Sequence, residues 1–128
     1  MGIDGQAALV DANVLVYAAG ELAPQRDACR HLLERARAGE VALCIAPQVL
    51  YEYYATMTNH KITMPPLSAS AALVDVETFR ALFPLIVPLD DHPTRTASIV
   101  RQTGFVGRDI FDATLAATML GNGITQIY

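Results

Sequence analysis

The sequence predicts a three-layer α/β/α domain with a mainly parallel central sheet. Three observations lead there. Short apolar runs of strand length recur along the chain, longer segments with a helical repeat separate them, and no turn signal such as Asn-Gly joins two strands as a hairpin.

The elements follow in order. Residues 7–11 read as a short buried strand that ends on Asp11, and a short helix begins at Ala12. Residues 24–38 carry the helical repeat, with Ala28, Leu32, Leu33 and Ala36 apolar, Arg26, Asp27, Arg30, Glu34, Arg35 and Arg37 polar, and Gly39 as the stop. The continuous apolar run 41–46 suits a strand covered on both faces. Pro47 opens a helix to about Asn59, and Pro65-Pro66 interrupts the pattern. Ser68 caps a further helix to about Phe83, expected to turn Leu73, Val76, Phe79 and Leu82 inward. Residues 85–89 form another strand signal, stopped by Asp90-Asp91, and Pro93 starts a helix to about Thr103. A glycine turn then leads into a last apolar helix that stops at Gly121-Asn-Gly123, and residues 124–128 begin one more strand. No repeat or linker divides the chain, so a single domain over residues 1–128 is expected. An apolar strand at the very end suggests a natural C-terminal continuation past Tyr128.

Composition limits the function classes. With 52% apolar and 17% charged residues over 128 positions, the chain is globular and long enough for a core. The net charge of −4 argues against a general nucleic-acid coat protein, but permits an enzyme that meets phosphodiesters through carboxylate-held cations. No run is clean enough to span a membrane. The N-terminal apolar run is broken by Asp11 and Asn13 and lacks a basic leader, so a cytoplasmic protein is expected. Cys29 and Cys44 lack CxxC spacing and read as small core side chains.

Four carboxylates stand in unusual places. Asp109 and Asp112 share one face of the first turn of the last helix, where the dipole favours negative charge; capping is the simpler account of each on its own. Asp11 lies at the carboxyl end of a strand, where open α/β sheets bind ligands, and can equally cap the helix that follows. Glu52 sits mid-helix in a narrow, nearly uncharged strip with Gln48, Thr56 and Asn59, facing either solvent or a cleft. In a parallel sheet these helix starts lie at one edge. Three or four acids meeting there would repel one another unless hard cations occupied the cluster, and all-oxygen ligation suits Mg²⁺ or Mn²⁺. From chemistry alone, metal-assisted phosphodiester hydrolysis leads.

The chain resembles the PIN domains. The carrying residues are Leu9-Val-Asp11-Ala-Asn13-Val-Leu-Val-Tyr17, Leu50-Tyr-Glu52-Tyr-Tyr-Ala-Thr-Met-Thr-Asn59 and Asp112-Ala-Thr-Leu-Ala-Ala-Thr-Met-Leu-Gly-Asn-Gly-Ile124, in the family's order and spacing. The resemblance is greatest to ribonuclease toxins of the VapC type. It implies a PIN-like fold and a Mg²⁺- or Mn²⁺-dependent endoribonuclease acting on RNA. Asp11, Glu52 and Asp112 would be metal ligands, Asp109 an accessory or outer-shell acid, and Asn13 a brace for the first carboxylate. A homodimer is implied, with an antitoxin segment blocking the cleft. The family's further acid after the last strand motif would fall beyond Tyr128.

Other groups have simpler readings. Asp91 before His92-Pro93 is a cap, and His31, His60 and His92 share no ligand spacing. Tyr51, Tyr53 and Tyr54 point different ways on their helix. Lys61, Arg101 and Arg108 are candidates for phosphate, with surface solubility the simpler account, while Arg26, Arg30 and Arg37 form a solvated face. A haloacid-dehalogenase-type phosphatase would need an acid where Asn13 stands. The non-enzymatic alternative is a PIN-like binding or scaffold module.

Overall fold

Parallel strand pairing sets the architecture of the computed structural model, which describes residues 7–128. Strand β1 (Ala8–Leu9) lies between β2 (Leu43–Cys44) and β3 (Gln126–Ile127). Ala8 stands opposite Leu43 and Gln126, and Leu9 opposite Cys44 and Ile127, all parallel. The ladder continues past the strand ends. Val10 N–H donates to Cys44 O at 3.0 Å, Tyr128 N–H to Leu9 O at 2.9 Å and Asp11 N–H to Tyr128 O at 3.0 Å.

Leu9, Val10, Cys44 and Ile45 are fully buried, as strands covered on both faces require. The covering comes in two groups, which make the three-layer α/β/α arrangement. In the first, α1 (Ala12–Ala19) packs against α2 (Arg26–Arg37) and α3 (Pro47–Met57), and α3 against α4 (Ala69–Leu82). In the second, α5 (His92–Thr103) packs along α6 (Ile110–Gly121). Leu15, Val49, Tyr53 and Ile124 complete the buried centre.

Several sequence expectations need correction. The strand expected over 85–89 is a single parallel bridge between Leu85 and Ile45. Pro84 contributes only its carbonyl, which receives Ile45 N–H, and Pro88 cannot donate, so no ladder can extend between them. On α4, Leu73 and Leu82 are exposed rather than inward, whereas Ala72 is buried and Val76 and Phe79 pack on the core. This rotation also brings Asp75 and Phe79 to Tyr53, whose hydroxyl donates to Asp75 Oδ2 at 2.7 Å and whose ring meets Phe79 edge-on at 5.0 Å. On α2, Leu32, Leu33 and Ala36 reach the core but Ala28 is exposed. Arg30 is not a merely solvated side chain: its Nε donates to Ala18 O at 2.7 Å, at the carboxyl end of α1 where positive charge is favoured. Asp91 makes no capping bond and pairs instead with Arg95 at 2.7 Å. Cys29 and Cys44 are both free, and burial pushes the Cys44 thiol up to about 11.

The Tyr53–Asp75 tie generates a stability prediction with a pH signature. Burial, then the Asp75 hydrogen bond and charge, raise the Tyr53 pKa above that of an unfolded tyrosine. Its contribution is therefore fully present below pH ~10 and is lost as the unfolded phenol begins to ionise. Tyr53→Phe should cost about 1.5 kcal/mol at pH 7, and the gap to wild type should narrow above pH ~10. Thermal melts of both proteins at pH 7 and pH 10.5 check this; a gap that stays constant would refute the pH assignment.

Candidate metal centre

The parallel sheet brings the starts of three helices to one edge. Helices α1 and α3 follow β1 and β2, so they begin at the carboxyl ends of those strands. Helix α6 precedes β3 and runs back toward its start, so its own first turn lies at the same edge. Asp11 stands at the N-cap of α1, Glu52 one turn inside α3, and Asp109 and Asp112 at the opening of α6.

Each acid has a distinct environment. Asp11 is half-buried and accepts a hydrogen bond on Oδ1 from Ala12 N–H at 2.8 Å, so the capping account holds for one of its two oxygens. Asp109 occupies the N-cap position of α6, but its carboxylate makes no capping bond. The 3₁₀ turn Gly107–Asp109 precedes it, and Gly107, at φ 58°, allows the chain to turn into that segment. Asp112 is exposed in the first turn of α6. Glu52 is exposed and receives Gln48 Nε2–H on Oε1 at 3.1 Å. Asn13 is exposed within α1, and among the described residues no hydrogen bond joins it to Asp11.

Nothing in the sequence marks Gln48 or Thr114 as a site residue. Gln48 Nε2 also donates to Phe111 O at 2.8 Å, and Thr114 Oγ1 lies 3.0 Å from Gln48 Oε1. Together these bonds tie the first turn of α3 to the first turn of α6. The four-residue spacing of Gln48 from Glu52 was legible; the partner, more than sixty residues away in the chain, was not. Arg108 lies over the Phe111 ring at 5.9 Å, which places a cation and an exposed aromatic beside Asp109 and Asp112.

The donor set is carboxylate oxygen throughout, which fits a hard divalent cation. The ion pairs among the described residues are Arg35–Glu40, Arg37–Glu34 and Arg95–Asp91, so none of the four acids is neutralised by a basic side chain there. The expected convergence is incomplete, however. Among the described residues, no three His, Cys, Asp or Glu side chains stand close enough to hold one ion. The acids share an edge rather than a ready-made cage.

Comparisons with known proteins agree with this architecture. The PIN domain family model matches residues 8–128. Ribonuclease VapC24 of Mycobacterium tuberculosis is 29% identical over 120 residues, covering 91% of this chain and 81% of that protein. The crystal structure of Mycobacterium tuberculosis VapC20, described as a sarcin-ricin loop cleaving toxin, superposes with a TM-score of 0.70 at 15% identity, covering 94% of this chain and 87% of the other. VapBC2 from Rickettsia felis, solved bound to a DNA fragment from its promoter, gives a TM-score of 0.65 at 16% identity, with 95% and 86% covered. With the family model spanning nearly its whole length, the chain belongs to the PIN domain family.

Proposed function

We propose that this protein is a metal-dependent endoribonuclease, the toxin of a toxin–antitoxin pair, with Asp11, Glu52, Asp112 and Asp109 holding Mg²⁺ or Mn²⁺. The observation that carries the reading is that acids from three separate segments fall at the carboxyl edge of one parallel sheet, with no basic partner among the described residues. The likeness to ribonuclease VapC24 supports RNA as the substrate class.

A bound divalent cation supplies polarisation of a phosphoryl oxygen and acidification of a water molecule. The chain's own residues do the rest. Asp11 offers the oxygen left over from capping α1, and Asp112 and Asp109 offer carboxylates at the positive end of α6. Glu52 offers the oxygen that Gln48 does not engage. Arg108 is placed to meet a phosphate, and Phe111, half-exposed beside it, to stack on a base. Asn13 braces Asp11 once the site is formed. The partners on this reading are RNA, an antitoxin polypeptide that covers the acidic edge, and a second copy of the chain. No helix of the described residues is long and apolar enough to cross a membrane.

A second reading, a PIN-like binding module without catalysis, is favoured by the incomplete convergence of the acids. Metal binding separates the two. A nuclease should gain about 2.7 kcal/mol of stability in Mn²⁺ at 100 times its Kd, visible as a rise of several degrees in Tm; a binding module should show no shift.

The decisive experiment incubates the protein with structured RNA in Mg²⁺ or Mn²⁺, with EDTA, Asp11→Asn and Glu52→Gln as controls. Cleavage should vanish with EDTA. Each substitution should lower the rate by on the order of 100-fold or more, since loss of a ligand's mere hydrogen-bond partner already costs about 10–100-fold. RNA left intact by folded, metal-supplied protein would sink the nuclease reading.

A further inference from the structure

We infer that Gln48 is a positioning residue that holds the Glu52 carboxylate to the opening turn of α6. The inference rests on the assignment of Glu52 as a metal ligand.

Every hydrogen-bonding group of the Gln48 carboxamide is engaged. One N–H goes to Glu52 Oε1 at 3.1 Å and the other to Phe111 O at 2.8 Å. Both acceptors therefore lie against the same nitrogen. Phe111 immediately precedes Asp112, so the bond that anchors Gln48 to α6 lies next to the proposed ligand on that helix.

The two acceptors beside the nitrogen decide the orientation of the amide. Thr114 Oγ1 stands 3.0 Å from Gln48 Oε1 and 2.9 Å from Phe111 O. The hydroxyl has one proton and two acceptors within reach, the Gln48 oxygen and the Phe111 carbonyl. Flipping the amide would set Oε1 against the Glu52 carboxylate and the Phe111 carbonyl, two acceptors that cannot donate to it. Thr114 is itself held: its carbonyl accepts from His92 Nε2–H at 2.8 Å and from the Thr118 hydroxyl at 3.1 Å. A chain of contacts thus runs from α5 through Thr114 and Gln48 to one oxygen of Glu52, leaving the other oxygen for a cation.

Glu52 would otherwise be an exposed carboxylate on a rotamer-rich side chain, one turn inside its helix. Restricting it before the ion arrives removes part of the ordering cost of binding, as hydrogen-bond partners of metal ligands do elsewhere.

The test is Mn²⁺ titration calorimetry on the 128-residue chain, comparing wild type, Gln48→Met, Glu52→Gln and the double variant, each with a thermal melt. Methionine keeps the length and bulk of glutamine without its donors. Gln48→Met should weaken Mn²⁺ binding about 10-fold. In the Glu52→Gln background it should add nothing, because its route to the metal is already gone. Thr114→Val should give a smaller loss in the same direction, and it also serves if Gln48→Met does not fold.

Unchanged Mn²⁺ affinity in Gln48→Met and Thr114→Val, with Glu52→Gln impaired, would overturn the inference. So would losses that add in the double variant. If Glu52→Gln binds Mn²⁺ as wild type does, the assignment of Glu52 itself fails, and the inference falls with it.

Discussion

The parallel pairing of β1 with β2 and β3 is the constraint on which the rest depends. Parallel strands cannot be joined by tight turns, so each connection must cross over through helix. With Leu9 in register with Cys44 and Ile127, the carboxyl ends of all three strands lie at one edge. Every helix that leaves a strand starts there, and α6, which returns to β3, starts there too. Two-residue strands suffice because the pairing is extended by single hydrogen bonds from Val10, Asp11 and Tyr128, and because β1 and β2 are fully buried while β3 forms the exposed edge. That the segments carrying Asp11, Glu52, Asp109 and Asp112 share this edge follows from topology and not from side-chain contact.

That edge is electrostatically distinctive. The amino ends of α1 and α6 favour negative charge, which offsets some of the repulsion between acids brought together. The ion pairs of the described residues lie elsewhere, on α2 and its exit and at the start of α5. Of the acids at helix starts, Asp11 makes a capping bond and Asp109 makes none. Like charges on separate elements repel, which keeps these carboxylates apart from one another.

Helix α3 is held from two flanks by polar contacts of different character. On one side the buried Tyr53 hydroxyl meets Asp75 of α4; on the other Gln48 meets Phe111 and Thr114 of α6. The first accompanies the rotation of α4 that exposes Leu73 and Leu82 and buries Ala72. The second links the two groups of helices across the edge of the sheet. Glu52, on the same helix between these ties, has its place set by both.

The sequence by itself determined the α/β/α class, the order of the elements and the positions of the acids within them. Those features are local: the helical repeat of α2, Pro47 at the start of α3, and the glycines before and after α6 act within a few residues of themselves. It also carried the three PIN-like segments. What only the tertiary structure decided is which partner each side chain meets. Periodicity could not tell that α4 turns Ala72 and Asp75 inward rather than Leu73, because the partners on that face, Tyr53 among them, lie on other elements. Nor could it reveal that Gln48 reaches Thr114, or that prolines reduce residues 85–89 to one bridge. Helical and strand patterns arise from neighbours in the chain, whereas rotation, ladder length and side-chain pairing arise from packing between distant segments.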